Sequence, residues 1–482
     1  MTALPLAVVL VTLGGLASDP PNGLRQLAPD EIVAALESVV SDAIARAEPS
    51  VVAIHRIKGE STQETQAVRG KPRARPGLEP LGPNSRLPRI SESMESISFD
   101  FGSGVVVGEE GQILTAFHVV RGASRLTVRA VDRQQFEAEI IAADPRSDLA
   151  VIAPVAVPGV PPPRLRPIPL GDASKLRKGA FLIALGNPFN AAQDGRPSAG
   201  MGILSNLSRR VEPEIDESSM MLRRFQLPNY PTLLQLDAKL NLGMSGGAVV
   251  NMKGELVGLT TMAASPSGFD AMAGYAIPLD RMGRRAVETL RQGREIEYGL
   301  LGIRPQLGNT NRVEEVAPNT PAAQGDLQAN DEIVAVNEIP VTDFDSLILA
   351  INSFAPGEKV RLTIQRGGKR LVKEVTLAKY AVEGEVIATN RPAPWRGIRV
   401  DYLSTMTTRI LGPNFELLPG VVITEVLDNS PAARAGLKRF QVIRQVAKTP
   451  VQTPAEFYRA VGGATGAVPL VTDLGPVTVP ES

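Results

Sequence analysis

Cysteine is absent from the 482 residues, which excludes disulfides, thiol nucleophiles and zinc–thiolate sites. Histidine is nearly absent too: His55 and His118 are the only two, too few for a histidine-based metal site, so no metal or other cofactor is expected. Neither sign of charge is in excess, with 51 Lys and Arg against 51 Asp and Glu. No basic field is therefore present to hold nucleic acid, and there is no acidic tail. No G-x-x-x-x-G-K-[ST] run exists to cradle a nucleotide phosphate. Apolar runs are short. The longest, Leu4 to Leu16, is too brief for a comfortable transmembrane helix, and no other segment is long and apolar enough to span a membrane.

That run is followed by small residues at Gly15 and Ala17, so residues 1–17 read as a cleaved export signal, with an uncleaved membrane anchor as the alternative. Export would make the protein periplasmic or secreted. The length implies two to four domains. With 44 Gly and 40 Pro and few helical patterns, the chain reads as mainly β. One helix is predicted between Asp30 and Ala47, from Ile32, Val33, Leu36, Val39, Val40 and Ile44, inside an 18–47 lead-in. Residues 57–98 are polar and carry five prolines, so they read as a mobile insertion unable to bury a core. Between 100 and 282, short Val/Ile/Leu runs alternate with Gly, Pro and Asp. The Pro-rich piece Pro158 to Pro169 splits them into two groups of about six strands, which suits two small barrels.

The last 185 residues repeat. Val316-Ala-Pro-Asn-Thr-Pro-Ala-Ala matches Val426-Leu-Asp-Asn-Ser-Pro-Ala-Ala at a constant offset of 110, and the match continues through Ile333/Ile443 and Pro340/Pro450. One duplication at this spacing means two homologous modules, each with a Thr- or Ser-capped short helix. The stretch 283–297 before them reads as a polar, helix-like boundary. The region before 298 is therefore expected to fold, and to act on small substrates, without residues 298–482.

His118 closes the strand-like run Ile113-Leu-Thr-Ala-Phe, Asp148 opens Asp-Leu-Ala-Val-Ile, and Ser245 lies in Gly243-Met-Ser-Gly-Gly247. The latter fits G-x-S-x-G, but the α/β-hydrolase elbow needs its histidine after the serine, and both histidines precede Ser245. The subtilisin order needs an acid before the histidine and a helix after it. Of the known triad orders, His–Asp–Ser survives.

Four blocks together resemble the HtrA (Deg) family of serine proteases: G-S-G-V-V-V…I-L-T-A-F-H-V-V, D-P-R-S-D-L-A-V-I, A-L-G-N-P-F and L-Q-L-D-A-K-L-N-L-G-M-S-G-G-A-V-V-N. The resemblance covers residues 45–380 well and 395–482 more loosely. It implies a chymotrypsin-like double β-barrel protease domain over 48–282, a PDZ domain over 298–380 and a short, divergent PDZ-like domain over 395–482. It also implies an ATP-independent endopeptidase acting on unfolded or damaged proteins, peptide C-termini as PDZ ligands, and a homo-oligomer, a trimer or a multiple of one. The alternative is a catalytically idle, PDZ-containing chaperone or scaffold.

Carried over residue by residue, His118 is the general base, Asp148 its orienting acid and Ser245 the nucleophile. The N–H groups of Gly243 and Ser245 form the oxyanion hole, and Leu240, Asn241 and Leu242 line the substrate pocket. Leu301, Gly302 and Ile303 form the carboxylate loop of the first PDZ domain. Two departures stand out: Met244 replaces the family's asparagine before the serine, and Phe440-Gln441 replaces the acidic turn in the second module. His55 and Asp144 read as structural, and Asp237 as a structural hydrogen-bond acceptor. The long stretch 206–231, with Arg209, Arg210, Arg223 and Arg224, reads as a solvated insertion, with a regulatory or substrate-contacting loop as the alternative.

Overall fold

The structure is a computed structural model that describes residues 28–58, 101–187, 195–209, 232–264, 273–308, 310–382, 386–406 and 419–481. The run expected to be an export signal (1–17), nearly all of the expected 57–98 insertion and most of 206–231 lie outside the described residues. Residues up to Ser41 form one unit and those from Asp42 onward another. Helix α1 (Pro29–Ala47) contributes to both. Within the second unit its last turn buries Ala43 and Ala47, and Arg46 Nε donates to the Lys253 carbonyl at 3.1 Å.

Twelve strands build two barrels. The first uses β1 (Val51–Lys58), β2 (Phe101–Val106), β3 (Ile113–Ala116), β4 (Ala123–Arg129), β5 (Gln135–Asp144) and β6 (Leu149–Pro154). They pair in the order β5-β4-β1-β2-β3-β6, and a β5–β6 ladder closes the ring. The second uses β7 (Phe181–Gly186), β8 (Ser198–Arg209), β9 (Leu233–Leu236), β10 (Ala248–Val250), β11 (Leu256–Ala264) and β12 (Ala273–Pro278), closed in the order β10-β11-β12-β9-β8-β7. Each barrel is filled by its own aliphatic side chains: Ile54, Ile113, Val128 and Ile152 in the first, Leu182, Leu204, Leu234 and Val249 in the second. The β-branched, period-two runs fold this way because alternate residues turn into a closed interior. Between β3 and β4 sits the one-turn helix α2 (Phe117–Val120).

Helix α3 (Arg281–Arg291) follows the second barrel. It is not the polar boundary its composition suggests, because it buries Met282, Ala286, Val287 and Leu290 along one face. Its arginines tie three regions together. Arg291 Nη1 donates to the Val107 carbonyl beside the first barrel at 3.2 Å, while Arg285 donates to the carbonyls of Glu297 (2.7 Å) and Asn352 (3.1 Å).

The first C-terminal module contains β13 (Gly299–Leu300), β14 (Ile303–Pro305), β15 (Val313–Val316), α4 (Pro321–Gln324), β16 (Glu332–Val336), β17 (Ile339–Pro340), α5 (Phe344–Asn352), β18 (Lys359–Arg366), β19 (Lys369–Thr376) and β20 (Ala378–Lys379). Strand β21 (Ile387–Ala388) then leaves the module and joins the first barrel, pairing Ile387 with Ala143 and Ala388 with Ala142 on β5. The second module repeats the plan with β22 (Ile398–Tyr402), β23 (Val421–Val426), α6 (Pro431–Arg434), β24 (Val442–Val446), β25 (Thr449–Pro450), α7 (Pro454–Val461), β26 (Val468–Thr472) and β27 (Gly475–Val479). Its counterparts to β14 through β19 are all present; among the described residues it has no counterpart to the β13–β20 pair. Thr320 and Ser430 cap the short helices by accepting from Ala323 N and Ala433 N. The Phe440-Gln441 turn keeps the shape of Asn330-Asp331: Phe440 and Asn330 both have positive φ, and Gln441 Oε1 accepts from Lys438 N as Asp331 Oδ2 does from Gln328 N.

A buried ammonium joins the modules. Lys379 Nζ lies 3.0–3.1 Å from carboxylates of Glu295, Glu297 and Asp401, which come from the segment after α3 and from β22. Burial alone would lower its pKa, but the three carboxylates outweigh that and raise it.

Candidate active site

The two carriers of the acid–base pair come from neighbouring strands of the first barrel. The β3–β6 ladder sets Ala116 opposite Leu149, so the next residues outward, Phe117 and Asp148, also meet, with Phe117 N donating to the Asp148 carbonyl at 2.9 Å. His118 on α2 then falls beside the Asp148 carboxylate. Its Nδ1 is 2.7 Å from Oδ2 and its backbone N donates to Oδ1 at 2.9 Å. Thr261 Oγ1 gives Oδ2 a second donor at 3.2 Å. Arg56, buried in β1, steadies α2 by donating to the carbonyls of Arg121 (2.7 Å) and His118 (3.4 Å).

Ser245 comes from the second barrel, on the turn entering β10. Met244 N donates to the Asn241 carbonyl and Gly247 N to the Met244 carbonyl, closing two successive four-residue turns. Gly243 (φ +92°) and Gly246 (φ +80°) occupy their third positions, while Leu242 and Ser245 keep negative φ. This is the type II pattern, which requires glycine there. A side chain at Gly243 would also strike the Asn187 carbonyl and, at 2.8 Å, the ring of Phe101. Thr260 on β11 holds the turn: its Oγ1 donates to the Met244 carbonyl and accepts from Gly247 N, and its own carbonyl accepts from Gly246 N at 2.7 Å.

Ser103, fully buried in β2, stitches the barrels at this point. Its N donates to the Ser245 carbonyl (2.8 Å), its Oγ donates to the Gly243 carbonyl (2.7 Å), and Asn187 N donates to the same Oγ (2.8 Å). The carbonyls of Gly243 and Ser245 are thus both committed to Ser103. The Ser245 hydroxyl itself donates to the Thr261 carbonyl at 2.5 Å rather than to the imidazole.

Met244 is buried with Ala184 and Leu240 in a small apolar cluster beneath the turn. Asn241 and Leu242 are exposed, as is Lys239. His55 lies on the solvent-facing side of β1, and Asp237 Oδ1 accepts from Ile203 N at 2.5 Å. Asp144 accepts from Ser147 N at 3.0 Å, a turn role. Sequence reasoning passed over Ser103, Thr260 and Thr261. The available signal was a hydroxyl residue inside an otherwise apolar, buried strand, as in Gly102-Ser-Gly104. Among the described residues no group of His, Asp and Glu is arranged to hold a metal ion.

A double-barrel fold with a serine turn in one barrel and an Asp-supported imidazole in the other defines a trypsin-like serine endopeptidase. The family model for the trypsin-like peptidase domain matches residues 102–259, and that for the PDZ domain matches 299–377. The chain is 31% identical over 383 residues to the periplasmic pH-dependent serine endoprotease DegQ of Escherichia coli (strain K12), covering 77% of each. It is 29% identical over 395 residues to the periplasmic serine endoprotease DegP of Salmonella typhimurium, covering 78% of this chain and 75% of the other. Among solved structures, HtrA-type protease AlgW with tripeptide matches at 25% identity and a TM-score of 0.48, over 71% of this chain and 98% of that one. The chain belongs to the HtrA (Deg) family of serine proteases.

Proposed function

We propose that this endopeptidase is exported, acts in the periplasm or outside the cell, and cleaves unfolded or damaged proteins without ATP through an acyl-enzyme on Ser245. The observation that carries the mechanism is the 2.7 Å contact between His118 Nδ1 and Asp148 Oδ2. It fixes the tautomer with the proton on Nδ1, leaving the Nε2 lone pair free to act as base. Ser245 turns its hydroxyl from the Thr261 carbonyl to Nε2, since such contacts often tighten only with substrate bound. Nε2 takes the proton as Oγ bonds to the scissile carbonyl carbon, and the N–H groups of Gly243 and Ser245 receive the oxyanion. Collapse breaks the C–N bond, with the imidazolium returning the proton to the leaving amine. Water then enters by the same base and releases the acid. Met244 leaves this intact, because the mechanism draws only on backbone groups there. The apolar cluster of Leu240 with Ala184 and Met244 supports a pocket for small aliphatic side chains, bordered by Asn241 and Leu242.

Peptide C-termini are assigned to the first module, at Leu301, Gly302 and Ile303. The Gly302 carbonyl accepts from Ala317 N at 3.0 Å, so the N–H and C=O of Ile303 point to the outer side of β14, which pairs only with β15 among the described strands. Oligomerisation is proposed on the apolar stripe of α1, where Ile32, Val33, Leu36 and Val39 are exposed and a second copy would cover them. Ser245→Ala tests the mechanism. It should lower casein cleavage by about 10⁴-fold or more and abolish labelling by a serine-directed phosphonate, with the melting temperature retained. Undiminished proteolysis would instead favour a different nucleophile, and an inert wild-type chain would favour the idle scaffold.

A further inference from the structure

Asp148 has a left-handed backbone (φ +56°), a conformation that costs a non-glycine residue about 1–2 kcal/mol and persists only where its surroundings enforce it. Both of its carboxylate oxygens and its carbonyl are engaged with residues 117, 118 and 261, so a small rotation of this residue would misdirect the imidazole. What holds the turn 144–148 comes largely from outside the barrel. Asp144 Oδ2 accepts from Ser147 N within the turn and also from the Tyr298 hydroxyl, which leads into β13 of the first PDZ module. The Arg146 guanidinium lies 3.8 Å from the centre of the Tyr298 ring and 4.7 Å from that of Tyr380, which follows β20. Tyr298 and Asp144 are buried, and Tyr380 N donates to the Tyr298 carbonyl at 2.8 Å, which ties the two backbones that carry these rings. One residue before the turn, β21 adds its strand to β5 at Ala142 and Ala143.

We infer that Tyr298 and Arg146 are positioning residues for the reaction: they lock the Asp144–Asp148 turn so that the Asp148 carboxylate aims at His118. This rests on the triad reading above. It makes the start and end of the first PDZ module part of the support of the protease site, so residues 298–482 are not a detachable appendage. Cation–π stacking and a charge-assisted hydrogen bond in a buried setting are suited to the task, because both fix direction as well as distance. A shift of about 1 Å in such a support is enough to lower turnover markedly.

The test uses the full chain and a short chromogenic peptide. Tyr298→Phe keeps the ring on Arg146 and removes only the hydroxyl. It should lower kcat about tenfold with KM unchanged. Asp144→Asn keeps an acceptor for both donors but loses the charge, so kcat should fall by less than in Tyr298→Phe, while Asp144→Ala should match or exceed the loss in Tyr298→Phe. A merely structural role is separated by the phosphonate labelling rate: in an Asp148→Asn background, Tyr298→Phe should add no further loss, because it acts through that carboxylate. Wild-type kcat in Tyr298→Phe, or losses that multiply in the double variant, would overturn the inference. Ser245→Ala run alongside keeps the two readings apart: residual activity there faults the triad, whereas a dead Ser245→Ala with a normal Tyr298→Phe faults only the positioning role.

Discussion

In the first C-terminal module no described residue pairs with the outer edge of β14; in the second the same edge of β22 is occupied by the chain's own residues. The two edges are equivalent by their hydrogen bonds. The carbonyls of Gly302 and Gly397 accept from Ala317 N and Leu427 N, and those of Leu301 and Arg396 accept from Ala322 N and Ala432 N. Gly302 and Gly397 share positive φ, and a side chain on either would run into the helix cap, Thr320 or Ser430. The difference lies three residues upstream. Leu300 is drawn away to pair with Ala378 on β20, whereas Trp395 folds back and exchanges both backbone hydrogen bonds with Ile398, each 2.9 Å. Its ring packs edge-on to Phe457 of α7 at 5.8 Å. Trp395 thus stands where the last residue of a peptide would pair with β22. The short β13–β20 ladder thus goes with an edge that no described strand covers, which is the edge proposed to take peptides.

The sharpest way to break the comparison is to make one change in both modules. Gly302→Ala forces a side chain into Thr320 at a backbone angle alanine avoids, displacing the N–H groups that would receive a carboxylate. Charge-assisted hydrogen bonds of this kind contribute about 1.5–3 kcal/mol each, so affinity for a hydrophobic C-terminal peptide should fall about a hundredfold. Gly397→Ala should leave that affinity within about twofold while lowering the stability of its own module. Calorimetry in a Ser245→Ala background, where the peptide survives, reads both; equal losses would mean the modules share the work. A smaller effect is expected from Trp395→Ala, which uncovers the Ile398 groups. The stoichiometry should rise from one peptide per chain to two, the second site weaker, at a cost of about 2 kcal/mol in stability for the lost ring contacts. A stoichiometry fixed at one would show that β22 is unfit for peptides for another reason.

Such a contrast was only half visible in the sequence. The offset of 110 residues revealed the duplication, and the Thr- and Ser-Pro-Ala-Ala runs marked the caps, because capping is local chemistry. Trp395 gave no signal, since its closure depends on a strand pair that forms elsewhere. The barrels were legible for the same reason as the caps: Val/Ile/Leu runs of strand length, split at Pro158 to Pro169, record where alternate side chains turn inward. His118, Asp148 and Ser245 stood out because each adjoins such a run. Their supports did not, because Ser103, Thr260 and Thr261 are common residues whose meaning is their depth. Helix α3 was misjudged through composition. Its arginines mask apolar residues at 282, 286, 287 and 290, whose spacing is that of one packed face.

The finest distinction concerns Pro305, the second outward-facing residue of β14. Gln306 N donates to the Arg312 carbonyl on the inner side, so the Pro305 nitrogen faces outward, where an incoming strand would seek a donor. A peptide running antiparallel to β14 with its carboxylate at residues 301–303 sets its last residue beside Ile303 and the residue two earlier beside Pro305. The carbonyl of that earlier residue finds no N–H, which confines recognition to the final residues of the ligand. Pro305→Ala supplies the missing donor, and one neutral hydrogen bond contributes about 1 kcal/mol, so peptide affinity should rise about fivefold. The same substitution loosens the unfolded chain and should lower the stability of the module by about 0.4–1 kcal/mol. Binding and stability are therefore expected to move in opposite directions, measured as peptide affinity and as the melting of the free protein. If both fall together, or if affinity does not move, the peptide does not run along β14 and the open edge has some other use.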